Sequence, residues 1–220
     1  MSSVTQSDLP TSAAVYSPFT LALYDLIVVH LSCRFVWRCP SVEMLALYNR
    51  NTGASHLDVG PGTGYFLDHA TFPVPRPEIT LVDCNLASLR SAARRIKRYS
   101  PRTIQADALQ PLPMEVARFD SAAANFLLHC LPGALHDKTA LFDHLKHQVK
   151  PGGKVFGSTI LGRGVEQGWL GRKLMRIYNS KGIFSNTEDS LDVLDKALAA
   201  SFRSYRLRLA GTVAMFEAVV

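Results

Sequence analysis

The run His56-Leu57-Asp58-Val59-Gly60-Pro61-Gly62-Thr63-Gly64-Tyr65 constrains this chain more than any other. A short buried-strand pattern passes directly into three glycines at alternate positions, and a helical pattern follows over 64–70. Strand, sharp turn and helix in that order open a parallel α/β sheet. Glycine allows the tight turn and lets backbone approach a ligand with no Cβ in the way. The helix start beyond presents unpaired N–H groups. Such a loop suits either the amino-acid end of a nucleoside ligand or the pyrophosphate of a dinucleotide. Spacing separates the two: the glycines run G-x-G-x-G, whereas the dinucleotide fingerprint is G-x-G-x-x-G. Asp58, just before the loop, also suits a positive amino group better than a pyrophosphate.

The rest of the chain continues the unit. Apolar runs at 79–82, 104–106, 121–126 and 154–160 alternate with helical patterns over 86–98 and 134–148. This predicts a mostly parallel sheet with helices on both faces. Polar groups fall at successive strand ends, where such sheets bind ligands. Asp83 ends the second strand and suits ribose hydroxyls. Asp107-Ala108 follows the third and suits the edge of adenine, while Asn125 ends the fourth. Lys150-Pro151-Gly152-Gly153 turns into the fifth. Each group taken alone is equally readable as an ordinary strand-end cap; their recurrence at consecutive ends argues for a nucleoside site. Helices over 166–180 and 190–201 precede two strands, 205–209 and 212–219, joined at Ala210-Gly211, so an antiparallel hairpin closes the sheet.

At 220 residues the chain suits one α/β domain. Residues 1–15, rich in Ser and Thr, are expected to be disordered, and 16–220 to form the domain. Within it, 16–52 reads as a helical cap, with a helix over 18–31 and a second one capped by Ser41. The cofactor-binding core spans 53–160, and 161–220 supplies further helices and the hairpin. No secretory signal or membrane-length apolar run is visible, so a cytoplasmic location is expected. Cys33, Cys39, Cys84 and Cys130 show no metal-site spacing; free thiols and no bound metal are expected. The formal charge is +6, with Arg94, Arg95, Lys97, Arg98 and Arg102 clustered around Tyr99. A nucleic-acid contact is one explanation. A solvated helix face is preferred, because Leu86, Leu89, Ala92, Ala93 and Ile96 form its apolar side.

The order of glycine loop, second-strand acid, Ala-Asp turn, fourth-strand exit and Lys-Pro-Gly-Gly turn resembles class I S-adenosylmethionine-dependent methyltransferases over about residues 53–160. A narrower likeness covers nearly the whole chain. It rests on Tyr24-Asp25, Trp37-Arg38-Cys39-Pro40, His56 to Gly60, Leu127 to Gly133, Tyr178-Asn179 and Lys181 to Thr187. These blocks resemble the YbcY-like group, whose fungal members are similar to enzymes that O-methylate polyketide α-pyrones of the citreoviridin and aurovertin type. Pro61 departs from the Val expected in much of that group. The resemblance implies a Rossmann-like, seven-stranded fold with the C-terminal hairpin and N-terminal helical cap, and S-adenosyl-L-methionine as cofactor. It assigns Asp58, Gly60, Gly62 and Gly64 to the methionine end, Asp83 to the ribose, Asp107 and Ala108 to the adenine, and Asn125 to the floor near the sulfonium.

Methyl transfer from a sulfonium asks the protein mainly for alignment and a dry site. His129, after the fourth strand, is the candidate general base; the alternative is a histidine that shapes the turn before Pro132. Tyr16, Tyr24, Trp37 and Arg38 in the cap, with Tyr178, Asn179 and Phe184 in the insertion, are candidate acceptor contacts whose rings would stack on a flat acceptor. Packing is the plain alternative, on equal terms for Trp37. Residues 185–188 also read as a helix-start cap using Thr187, which would make Asn186 structural. The expected activity is O-methylation of a hydroxyl on a small α-pyrone or phenolic metabolite of polyketide type. RNA or protein methylation and a non-catalytic scaffold are the alternatives, and no nucleic-acid or membrane partner is expected.

Overall fold

Alternation of short apolar runs with amphipathic segments produces a twisted sheet clothed on both faces. The computed structural model describes residues 33–114 and 118–220; the expected 18–31 helix, the 1–15 reading, Tyr16 and Tyr24 lie outside them. The strands are β1 (Ser55–Val59), β2 (Glu78–Asp83), β3 (Arg102–Gln105), β4 (Phe119–Asn125), β5 (Val149–Ile160), β6 (Ser204–Ala210) and β7 (Val213–Val219). Their order is β3-β2-β1-β4-β5-β7-β6. The first five run parallel, and β7 lies antiparallel between β5 and β6. The expected fold class is therefore the observed one. Central β1 and β4 are buried almost throughout, as strands covered on both faces must be. Edge strand β6 alternates and shows Arg206 and Arg208 to solvent, charges that discourage edge-to-edge pairing.

The helices are α1 (Ser41–Asn51), α2 (Tyr65–His69), α3 (Leu86–Arg95), α4 (Ala140–Gln148), α5 (Trp169–Ser180) and α6 (Leu191–Ser201). Leu141, Phe142 and Leu145 of α4 join Leu194 and Leu198 of α6 in one core layer. Met44 and Leu47 of α1, Leu89 and Ala92 of α3 and Met175 of α5 build the other.

Several boundaries differ from the sequence reading. Ser41 lies inside the first turn of α1, and Pro40 at the cap position makes no side-chain cap bond. The 134–148 pattern resolves into a single tight turn, Asp137–Thr139, followed by α4. Strand β5 starts at Val149, before the Lys-Pro-Gly-Gly segment, which hydrogen-bonds to the chain end: Gly152 N–H donates to Val220 O at 2.8 Å and Val220 N–H to Gly153 O at 3.0 Å. Thr187 caps no helix; Ser190 caps α6 by accepting from Val193 N–H.

Candidate active site

Strand β1 delivers Asp58 to the interior, 1% exposed. Its Oδ2 accepts from the Tyr48 hydroxyl of α1 at 2.8 Å and lies 3.5 Å from His56 Nε2. Its Oδ1 is buried with no hydrogen-bond partner. An unpaired buried carboxylate oxygen is costly, and a ligand bearing N–H donors would relieve that cost. The loop supplies the matching space. Gly60, Gly62 and Gly64 have φ of 72°, 56° and 76°, the left-handed region that favours glycine. A Cβ on Gly60 would sit 2.8 Å from Leu127 Cδ1, and one on Gly64 would sit 3.0 Å from Ala92 Cα; on Gly62 it would meet nothing within 4 Å. Two glycines thus seat the loop, and the middle one leaves room beside it. The methionine end of S-adenosylmethionine, whose amino group donates N–H, fits this acceptor and this gap.

Asp83 ends β2 with Oδ1 accepting from Asn85 N–H at 2.9 Å and Oδ2 from the Ser88 hydroxyl at 2.7 Å. Ser88 Oγ also lies 3.0 Å from the Gly62 carbonyl, which ties this acid to the loop. Burial pushes the Asp83 carboxyl above its ordinary value, against the Asn85 and Ser88 hydrogen bonds that favour the anion. With the Cys84 thiol as a third donor to it, the carboxylate still keeps acceptor capacity for a ligand hydroxyl. Asp107 is exposed, its Oδ1 accepting from Leu109 N–H at 2.9 Å. Ala108 is buried, its carbonyl bonded to the His144 ring at 3.1 Å. Asn125 Oδ1 accepts from the Ser158 hydroxyl. Phe126 then takes φ 53°, an uncommon conformation for a residue with a bulky side chain, fixed by its N–H donating to Ser158 O at 2.9 Å.

Beside Phe126 at this edge stands a cluster of rings. Phe184 lies 4.5 Å from the His129 ring, 4.9 Å from Tyr178 and 6.1 Å from Trp37, centroid to centroid. Phe126 links His129 at 6.1 Å to Phe66 of α2 at 6.4 Å, and Phe66 stacks on Tyr48 at 5.6 Å. Aromatic contacts therefore run unbroken from the partner of Asp58 to the insertion. His129, Trp37, Tyr178 and Phe184 are brought together. Trp37 is buried, its carbonyl accepting from Thr212 N–H at 2.9 Å, so packing is the role its geometry displays.

Two candidate acceptor contacts stand apart from the ring cluster. Asn179 spends its amide on the chain: Nδ2 donates to Met175 O at 2.9 Å and Asn186 Oδ1 at 3.0 Å, while Oδ1 accepts from Thr187 Oγ1 at 3.1 Å. Asn186 in turn donates to Ile160 O at 2.8 Å. Both asparagines clasp the insertion. Arg38 is exposed and lines an open pocket of about 550 Å³ with Gly162, Val165, Glu166, Gln167 and Arg172.

The geometry of His129 alters its chemistry. It is buried, and Ile160 N–H points at Nδ1 from 3.3 Å. An amide can only donate, so Nδ1 is the unprotonated nitrogen, and the neutral ring carries its proton on Nε2. Burial, and secondarily the Lys138 charge, lower its pKa to about 3. The ring is held neutral and as a donor, which argues against the general-base reading. Burial likewise pushes all four thiols up to about 12, and the cysteines are free. In the basic stretch, Arg98 pairs with Asp68 and lies over the Tyr99 ring, and Arg95 donates to Thr63 at 3.1 Å. These contacts favour the helix-face reading. Among the described residues no cluster could hold a metal and no helix is long and apolar enough to cross a membrane.

Sequence reasoning missed Tyr48, Phe66 and Ser88. Tyr48 was legible only as a residue on the apolar face of α1, and nothing local announces its bond to Asp58. Ser88 follows Asp83 by five residues, close enough for its position on the first turn of α3 to have signalled the contact.

Fold and site together define a mostly parallel α/β domain with a glycine loop and successive polar strand ends at one edge and an aromatic cluster beside it. A family profile described as a methyltransferase domain matches residues 57–155. Demethylluteothin O-methyltransferase of Streptomyces thioluteus is 41% identical over 205 residues, 93% of this chain and 89% of that protein. The physcion biosynthesis cluster O-methyltransferase of Aspergillus chevalieri is 37% identical over 208 residues, 94% of this chain and 93% of its own length. Among solved structures, phosphoethanolamine N-methyltransferase 2 of Haemonchus contortus, in complex with S-adenosyl-L-methionine, superposes with a TM-score of 0.67 at 15% identity. That match covers 93% of this chain and 57% of the other, so the chain spans under two thirds of that structure. The chain belongs to the class I S-adenosylmethionine-dependent methyltransferases.

Proposed function

We propose that this enzyme O-methylates a hydroxyl on a small, flat metabolite of polyketide type, an α-pyrone or a phenol, in the cytoplasm. The observation that carries the reading is the packed ring cluster of Trp37, Tyr178, Phe184 and His129 beside the glycine-loop edge, a largely buried aromatic wall against which a conjugated ring would be held. The O-methyltransferase relatives, matched over nearly their full lengths, support it.

When bound, S-adenosylmethionine supplies a methyl group already activated by the sulfonium. Asp58 would accept from its amino group, with Gly60, Gly62 and Gly64 admitting the backbone close to the methionine end. Asp83 would accept from the ribose hydroxyls, and Asp107 from the adenine amine, with Ala108 beneath the base. Asn125 would floor the site near the sulfonium. On the acceptor side Tyr178 and Phe184 would exclude water and orient the ring, with Trp37 packed behind them and Asn179 holding the insertion; Tyr16 and Tyr24, outside the described residues, are further proposed acceptor contacts. His129 serves as a neutral wall and hydrogen-bond donor. An acceptor acidic enough to ionise at neutral pH, as a 4-hydroxy-α-pyrone or an acidified phenol is, then needs no base, and alignment accounts for the rate.

The test offers purified enzyme and labelled S-adenosylmethionine a panel of 4-hydroxy-α-pyrones, phenols, total RNA and protein. Methylated oxygen on a pyrone or phenol is the expected product. Label appearing only in RNA or protein contradicts the proposal.

A further inference from the structure

Lys138 and Asp189 form a buried ion pair that neither the cofactor edge nor the ring cluster requires. The two side chains are 0% and 1% exposed, with Nζ 3.1 Å from Oδ2. Lys138 Nζ also donates to the Ser185 carbonyl. Ser185 N–H donates to the His129 carbonyl at 2.8 Å, and its hydroxyl to Gly133 O at 3.1 Å. The Asp189 carbonyl accepts from Gly162 N–H at 3.0 Å and Arg163 N–H at 3.1 Å, and its own N–H donates to Asn186 O at 3.0 Å. The ion pair thus joins the exit from β4 to the 182–190 loop between α5 and α6, and the backbone of Asp189 ties the same loop to the end of β5. The fit is close, since a Cβ on Gly162 would fall 2.0 Å from the Asn186 carbonyl oxygen. Phe184, the residue before Ser185, carries the ring set edge-on to His129.

Stability gives little reason to keep such a pair. Dehydrating two charges is expensive, and apolar replacements of similar volume are often neutral or stabilising. Here compensation is incomplete, because Asp189 Oδ1 is buried without a partner. Burial lowers the Lys138 pKa and raises that of Asp189, each against the attraction of the other. What an ion pair adds over an apolar contact is direction, a single register in which charges and carbonyls meet. We propose that Lys138 and Asp189 are a positioning pair that fixes the 182–190 loop, and with it Phe184, against His129, so setting the shape of the acceptor wall. The link to the acceptor rests on the function proposed above; the link to the loop does not.

The test compares the wild type with K138M/D189L, which fills the space with apolar groups, and with D189N, which keeps the shape but removes the charge. Amide hydrogen exchange reads the loop without any acceptor. In both variants the Ser185 amide is expected to exchange about tenfold faster, with glycine-loop amides unchanged. With 4-hydroxy-6-methyl-α-pyrone, KM is expected to rise about fivefold while kcat and S-adenosylmethionine affinity stay within about twofold. If D189N fails to fold, the apolar pair decides. Wild-type Ser185 exchange and KM in K138M/D189L overturn the proposal, as does loosening that extends equally to the glycine loop. Should the wild type bind the cofactor yet leave the pyrone unmethylated, the acceptor reading fails, and exchange alone decides whether the pair holds the loop.

Discussion

Asp58 binds one neighbour and leaves one oxygen bare, and that asymmetry organises the chemistry around it. Tyr48→Phe removes the hydroxyl that meets Oδ2, leaving the carboxylate poorer still. We expect a loss of about 1–3 kcal/mol in urea unfolding and weaker cofactor binding; wild-type stability would show that the hydrogen bond contributes nothing. The glycines allow a sharper contrast. Both Gly62→Ala and Gly64→Ala pay for a positive φ, but only the second drives a Cβ against the α3 backbone. Gly64→Ala should therefore lower the melting temperature more, and Gly62→Ala should lose more cofactor affinity relative to its stability. Equal ratios in calorimetry and thermal melts would contradict the separate roles. For His129 the folded pKa of about 3 lies below the ordinary value near 6.5. The unfolded chain binds the extra proton between the two, so the contribution is complete above about pH 6.5 and is lost as pH falls toward 3. His129→Gln should flatten the decline of unfolding free energy across that window, and an unchanged slope would refute the buried, neutral ring.

At the scale of elements, what was legible in the chain followed periodicity. The β1 strand, the glycine turn and the α2 helix appear within a residue or two of their expected limits, because apolar alternation and glycine carry their own signal. The misplaced limits lie where distant partners intervene. Residues 149–153 extend β5 because Phe119 of β4 pairs with Val149, and Val220 hydrogen-bonds to Gly152 and Gly153. The acids proposed for the cofactor were readable from their places at strand ends, yet the Tyr48–Asp58 and Lys138–Asp189 pairs were not. Side-chain pairs separated by 10 and 51 residues leave no local pattern, and Lys138 read as one more polar position on a helix. Asn179, a candidate acceptor contact in the sequence, is a related case, since its amide is engaged within its own loop. Helix caps are a middle case. Asn85 starts α3, its Oδ1 accepting from Ala87 N–H at 2.8 Å, while its backbone serves Asp83. Asn85→Ala should cost about 0.5–2 kcal/mol in urea unfolding and weaken cofactor binding modestly; no change in either would make the cap incidental.

Over the whole molecule, the sheet order decides where chemistry can occur. Five parallel strands carry their carboxyl ends to one edge, so the glycine loop, Asp83, Asp107 and Asn125 share it by topology. The insertion after β5 and the segment around Trp37 bring the rings to the same edge, held in part by the β6–β7 turn, where Thr212 bonds to Trp37. The most direct test of this arrangement is calorimetric titration of the purified protein with S-adenosylmethionine, S-adenosylhomocysteine and NADH. Saturable binding of the two adenosyl ligands, lost or strongly weakened in Asp83→Ala, with no heat from NADH, is the predicted result. Binding of NADH alone, or wild-type affinity in Asp83→Ala, would contradict it.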